Sequence, residues 1–242
     1  MTDKIKMSSE KLDTEELSQY AAAGYQLIPL HQWDYIDGFK RLRGKSPADM
    51  DWRKKDYTKF DAVRHMKLGK NVGVRLTPED LVIDADPRNY APGDDPLARV
   101  LEDVGIDISD TAWVKTGSGG THIYLKKPAD VAILETTPAY QGIEFKTAGR
   151  QVVAAGSKHD KTGNVYRFDF LCADLRKPYK APDRLLALIR RPQLSAANAS
   201  ASGGEHTPEH LAKMLSGLNP EDYRDQGKWL ELMMACHHAT AG

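Results

Sequence analysis

The sequence predicts an α+β fold with a largely antiparallel sheet, and three observations carry that prediction. Apolar runs of strand length recur between turn signals. Helical segments lie among them without strict βαβ repetition. Several strand candidates are joined by short Gly-rich links of hairpin type. The 242 residues suit one sizeable domain plus a fragment, or two small domains. Hydrophobic residues at 40% supply a core, and charged residues at 28% leave no case for wholesale disorder.

Residues 1–13 are polar and read as a frayed start. Thr14 offers an N-cap, Glu15 and Glu16 suit the first-turn dipole, and Gly24 ends the pattern, so a helix is expected over 15–23. "GYQLIPL" then reads as a short buried strand. A helix near 57–68 follows, with Phe60, Val63 and Met66 as its apolar stripe. "NVGVRL" and "DLVIDAD" read as strands joined around Thr77-Pro78. "GDDPLARVLEDVG" is a capped helix, with Asp at its start, Pro96 near N1 and Gly105 at C′. "TAWVKT" and "HIYLKK" are strands linked by "GSGG". "GIEFKT" and "QVVAA" read as another pair around Ala148-Gly149-Arg150. "VYRFDF" is a further strand and "PDRLLALIR" a last helix. Together these give a domain over 14–192 that begins with an α/β module. "QLSAANASASGGE" marks a flexible linker, 193–205. Thr207-Pro208-Glu209 opens one helix and "YRDQGKWLELMMACHHATAG" another, so 206–242 reads as a helical module cut short.

No apolar run reaches the length of about 18 residues that a membrane span needs. "MTDKIKMSSEKLDTEE" lacks the apolar stretch of a secretory signal. Cys172 and Cys236 supply neither a disulfide framework nor a zinc spacing. A cytoplasmic protein without a membrane partner is therefore expected. The 34 acids balance the 34 bases. Between Gly38 and Lys70, however, eleven bases face four acids, with Trp52, Tyr57 and Phe60 interleaved. That mixture suits contact with a nucleic-acid strand, and equally a solvated basic face.

In "LVIDADP", Asp84 and Asp86 interrupt an otherwise apolar run. A buried unpaired carboxylate is very costly, so either the acids face an open side or a cation holds them. Residues two apart in a strand share a face. Asp84 and Asp86 thus point one way, with Ile83 and Ala85 toward the core. In "GIEFK", Glu144 and Lys146 oppose Ile143 and Phe145. In "THIYLK", His122, Tyr124 and Lys126 oppose Ile123 and Leu125. The expected picture is an open sheet face carrying the acids. Three clustered carboxylates repel one another unless a cation sits among them, and hard oxygen donors suit Mg²⁺ or Mn²⁺. Taken alone, Asp84 and Asp86 are equally surface acids that open a turn at Pro87. "KTGSGGTH" offers a Gly-rich turn of the kind that binds anions, followed by His122, and "VVAAGSKH" ends a strand with Ser157, Lys158 and His159. Each of those loops, by itself, is also a plain turn.

The order of these features resembles the bifunctional primase–polymerase (prim-pol) domain of the archaeo-eukaryotic primase superfamily, found in phage and plasmid replication proteins. The likeness runs from Gly24 to Pro192 through "GYQLIPL", "GKSP", "NVGVRL", "LVIDADP", "TGSGGTHIYL", "GIEFKTAGRQVVAAGSKH" and "GNVYRF". It implies an RRM-like catalytic sheet and a nucleotidyltransferase that makes primers and extends DNA from (d)NTPs with two Mg²⁺ or Mn²⁺ ions. Asp84, Asp86 and Glu144 match the metal-binding acids. His122, Ser157 and His159 match residues at the incoming triphosphate, with Lys115, Ser118, Gly119, Lys146 and Arg150 as neighbours. Glu144 stands where Asp is common, Lys146 where Arg is common, and Ala155-Gly156 where Pro-Pro is frequent. The resemblance also implies a single-stranded template with its primer, a replicative helicase as partner, and the host cytoplasm as location for a phage-encoded protein. Two rivals stand beside it. "IEFK" with an upstream Asp fits a PD-(D/E)xK-like metal-dependent nuclease, and an RRM-shaped sheet fits a non-catalytic single-strand binder.

Overall fold

The computed structural model describes residues 15–169, 171–191, 206–223 and 225–239. The expected frayed start, its Thr14 cap, the linker 193–205 and Phe170 lie outside the described residues. The chain divides into two compact units after Arg191. No helix among the described residues is long and apolar enough to cross a membrane.

In the first unit, helix α1 spans 15–22 and buries Leu17 and Tyr20. The chain continues through β1 (Gln26–Gln32), α2 (Lys59–Lys67), β2 (Lys70–Arg75) and β3 (Asp80–Ala85). Thr58 and Asp61 form a reciprocal capping box that starts α2. Helix α3 (Pro96–Val104) has the expected signals in place. Asp95 accepts from the Ala98 amide, Pro96 leads the first turn, and Gly105 closes it in the left-handed region at φ +72°. Strands β4 (Ala112–Lys115), β5 (Thr121–Lys126), β6 (Ile143–Lys146), β7 (Gln151–Val153), β8 (Arg167–Phe168) and β9 (Tyr179–Lys180) precede α4 (Asp183–Ile189).

The strands form two sheets. The smaller runs β1-β2-β7 and is antiparallel throughout. The larger runs β6-β3-β5-β4-β8, also antiparallel, with β9 joining β5 in parallel. The alternation in β3, β5 and β6 sends Leu81, Ile83, Ala85, Ile123, Leu125, Ile143 and Phe145 to one face. There they meet Val100 and Val104 of α3 and Leu185, Leu186 and Ile189 of α4. Each fully buried Val, Leu, Ile or Phe side chain among them contributes about 1.5–3 kcal/mol.

Most of the opposite face is covered as well. Val82, Ala112, Val114 and Tyr124 pack there in a second core with Leu17, Tyr20, Ile28, Val74 and Val152. The expected half-exposed sheet is thus covered on both sides over most of its area, because the smaller sheet and α1 supply an apolar cover of their own, and it stays open only along the row of Asp84 and Glu144. A second expectation also fails: "GIEFKT" and "QVVAA" are not a hairpin. The chain turns through Gly149 at φ +83° and passes from one sheet to the other, β6 pairing with β3 and β7 with β2. Phe60 is not in the α2 stripe either, being 73% exposed. It stands about 110° round the helix from the centre of the Ala62, Val63 and Met66 face. Trp52, by contrast, is a core residue and not an exposed aromatic.

The second unit holds α5 (Pro208–Leu215), a 3₁₀ turn (Pro220–Tyr223) and α6 (Gln226–Ala239). Thr207 caps α5 by accepting from the His210 amide. The His206 amide donates to the Ala239 carbonyl at 3.3 Å.

Candidate active site

Antiparallel register sets Val114, His122, Asp84 and Glu144 side by side across β4, β5, β3 and β6. The row before it, Ala112, Tyr124, Val82 and Lys146, is core apart from Lys146. Cross-strand neighbours stand about 4.5–5.5 Å apart, so the row brings one imidazole and two carboxylates together without any loop. Asp86 follows just beyond β3, its amide donating to the Gly142 carbonyl at 3.1 Å. Two glycines make room beside it. A Cβ at Gly142 would lie 2.6 Å from the Tyr90 ring, and one at Gly120 only 2.2 Å from the Ala85 carbonyl oxygen.

The polar row opens on a cleft of about 460 Å³. Asp84, Asp86, Glu144, Ser118, His122 and Lys146 all line it, so six of the expected site residues meet there. Lys45, Arg88, Thr116, Gln151 and Tyr166 line it as well.

The acids in "LVIDADP" are held by cations of the chain itself. Lys146 Nζ donates to Asp84 Oδ2 at 2.6 Å and lies 3.0 Å from Glu144 Oε2. Arg88 forks onto Asp86, with Nε 2.9 Å from Oδ1 and Nη2 2.6 Å from Oδ2. His122 Nε2 is 3.5 Å from Asp84 Oδ1, and its buried Nδ1 has no hydrogen-bond partner among the described residues. Burial pushes the His122 imidazole below its ordinary value against the pull of Asp84, so it is neutral at neutral pH. Burial also opposes ionisation of Asp84, yet its carboxyl stays below the usual range. The neighbouring His122 and the hydrogen-bonded Lys146 ammonium both draw it down. Burial would discharge Lys146 too, but Asp84 and Glu144 hold it above its ordinary value. The Arg88 fork keeps the Asp86 carboxyl low.

Among the described residues, no group of three or more His, Cys, Asp or Glu side chains is arranged to hold a metal ion. The donor chemistry still suits a hard cation. Asp84 and Glu144 already share one monovalent cation, Lys146, and Asp86 lines the same cleft.

Five expected residues do not line the cleft. Ser157 is buried, and its hydroxyl accepts from the Val72 amide at 2.9 Å and donates to the Val72 carbonyl at 3.0 Å. It ties two backbone segments together. His159 is fully buried, and its Nδ1 accepts from the Lys161 and Thr162 amides at 3.2 Å, which leaves Nε2 to carry the proton. Arg150 is exposed and paired with Glu135. Lys115 is exposed at the end of β4, and Gly119 sits at φ +91° in the turn. In that turn the Gly120 amide is spent on Thr116 Oγ1 and the Gly119 amide on the Thr116 carbonyl. Neither amide is left for an anion. The turn instead braces the 159–164 loop, with Thr162 Oγ1 donating to the Gly117 carbonyl at 2.8 Å.

Arg88 and Tyr166 escape a reading of the sequence. Arg88 had one signal: Asp86 caps a 3₁₀ turn whose first residue is Pro87, which swings Arg88 back over the carboxylate. Tyr166 had none beyond its place in a strand-like run.

Over residues 17–184 the chain matches the family model of the bifunctional DNA primase/polymerase, N-terminal domain. The chain belongs to this family. The match starts within α1 and ends within α4, so the prim-pol domain takes in both sheets and every residue of the cleft. The family resemblance in the sequence is thereby borne out. No curated protein matches the chain.

Proposed function

We propose that this prim-pol domain is a DNA-directed primase/polymerase of phage or plasmid replication that adds (d)NTPs to a templated strand with divalent metal ions. The observation that carries this reading is the cross-strand row His122, Asp84, Glu144, continued by Asp86, at the wall of one cleft. Asp84, Asp86 and Glu144 are the residues that would hold the ions. Ions bound there would lower the pKa of the attacking 3′-hydroxyl and neutralise charge on the leaving pyrophosphate.

The chain's own cations have a second task in this scheme. Lys146 and Arg88 neutralise the acids until ions arrive, and then turn to the triphosphate together with Lys45. Neutral His122 donates from one ring nitrogen, and the Thr116 and Ser118 hydroxyls bond the phosphate edge. The 3′-hydroxyl gives its proton to solvent, its oxygen joins the α-phosphorus, and the bond from that phosphorus to the leaving pyrophosphate oxygen breaks. A replicative helicase would supply the single-stranded template.

One observation favours a second reading. Asp84, Glu144 and Lys146 meet at one ammonium, which is the constellation an E-x-K nuclease uses. An assay with a labelled primer on single-stranded template separates the two. Lengthening that requires added triphosphates supports the polymerase, and shortening without them supports the nuclease.

A further inference from the structure

Between β1 and α2 the chain forms a small hairpin, with Ile36 and Leu42 bridged across it. Its tip is held firmly. Asp37 accepts from the Phe39 amide at 2.9 Å, the Arg41 amide at 3.0 Å and Arg41 Nε at 3.1 Å. Lys40 turns the chain at φ +60°, the one non-glycine residue in the left-handed region among the described residues. Yet this ordered tip holds Phe39 out, 81% exposed, beside exposed Tyr35 and Ile36. Neighbouring apolar side chains kept in water mark an interaction surface.

Charge indicates the partner. From Tyr35 to Lys45 the segment carries Lys40, Arg41, Arg43 and Lys45 against a single acid, Asp37. The Arg41 guanidinium lies 5.0 Å from the centre of the Phe39 ring. An exposed aromatic face with cations around it suits a base and its phosphates better than an apolar protein surface. The hairpin is also rooted in the cleft wall. Lys45 lines the cleft, its carbonyl accepts from Gln151 Nε2 at 2.8 Å, and the Gly44 carbonyl accepts from Asn71 Nδ2 at 2.9 Å. Phe39 is six residues from Lys45, so its backbone lies within about 20 Å of that wall.

We infer that the hairpin is a base-stacking clasp for single-stranded nucleic acid: Phe39 stacks on a base of the strand leading to the cleft, and Lys40 and Arg43 meet its phosphates. This rests on the primase/polymerase reading and gives the template its first contact.

The test measures binding of a fluorescein-labelled oligothymidylate by anisotropy over a salt series, with templated primer extension on the same preparations. Phe39→Ala is expected to weaken binding about fivefold to 150-fold, the range for one lost base stack, with the salt slope unchanged. Phe39→Leu is expected to behave like Phe39→Ala. Lys40→Gly, which suits the left-handed backbone, should reduce the salt slope by about 0.7. Asp84→Asn should bind as wild type does and fail to extend. Four results overturn the clasp: wild-type affinity in Phe39→Ala, restored affinity in Phe39→Leu, a change only in oligomeric state, or no single-strand binding by the wild type. The first of these, in a protein that extends primers, leaves the polymerase reading standing. Binding that depends on Phe39 in a protein that never extends a primer supports the clasp and refutes the polymerase.

Discussion

Lys146→Met removes the ammonium that two carboxylates share and keeps most of the side chain's bulk. Taking one partner from a buried ion pair destabilises a protein by about 3–5 kcal/mol. Here the Lys146 and Asp84 side chains are only 18% and 20% exposed, whereas Glu144 is 47% exposed. Water partly screens the second contact, so the lower end, about 3 kcal/mol, is expected. At about 2–4 °C per kcal/mol for a domain of this size, the melting temperature in EDTA at neutral pH should fall by about 6–12 °C. The loss depends on pH in a fixed direction. The lowered Asp84 carboxyl adds stability above the ordinary carboxyl range, and that contribution disappears as pH falls through the native value. The variant keeps His122 but loses Lys146, so the same carboxyl rises relative to its wild-type value and protonation relieves the strain at a higher pH. The gap between the two proteins should therefore be full near pH 7 and close on acidification. Mn²⁺ should stabilise the variant more than the wild type, since no ammonium has to be displaced. Equal melting temperatures in EDTA, or an equal response to Mn²⁺, would refute the reasoning.

Three further outcomes are expected. Ser157→Ala should lose about 1–3 kcal/mol in a denaturant titration, with the nucleotide KM within about twofold of wild type, because the hydroxyl serves the Val72 backbone. Gly142→Ala should lose about 2–4 kcal/mol, shown as a lower denaturation midpoint, since φ is +88° and the new methyl would lie 2.6 Å from Tyr90. Neutral, buried His122 should make stability fall below about pH 6.5 by up to about 1.4 kcal/mol per pH unit, as the unfolded chain takes a proton that the native site refuses. His122→Asn should make that slope shallower in a pH series of melts, His31, His65 and His159, which are also held below their ordinary values, keeping their own share.

The local features were legible because they rest on local physics. The α3 caps are spelled out by Asp95, Pro96 and Gly105. Two-residue alternation put Asp84, Glu144 and His122 on one side of their strands, and the register then made them neighbours. What escaped depends on partners distant in the chain. Nothing in "GIEFKTAGRQVV" says that its two halves join different sheets, a matter decided by the apolar cover that β2 and β3 offer. Nothing in "DAD" says that Lys146, 62 residues on, supplies the counter-charge. The serine of "GSKH" looks like a phosphate ligand until Val72 is found against both its lone pair and its proton. Phe39 carries no periodic signal, because its exposure follows from a hairpin tip built on the Asp37 carboxylate.

The central claim is that Asp84, with Asp86 and Glu144, serves metal-dependent strand synthesis. Single-turnover incorporation of one nucleotide on a primed template, in Mg²⁺ and in Mn²⁺, tests it directly when wild type is set beside Asp84→Asn. The account predicts one added nucleotide for the wild type only when metal and triphosphate are both present. It predicts a loss of more than about a hundredfold in the variant, whose circular dichroism stays native. Incorporation that survives in Asp84→Asn, or a primer that shortens without triphosphate, would contradict it.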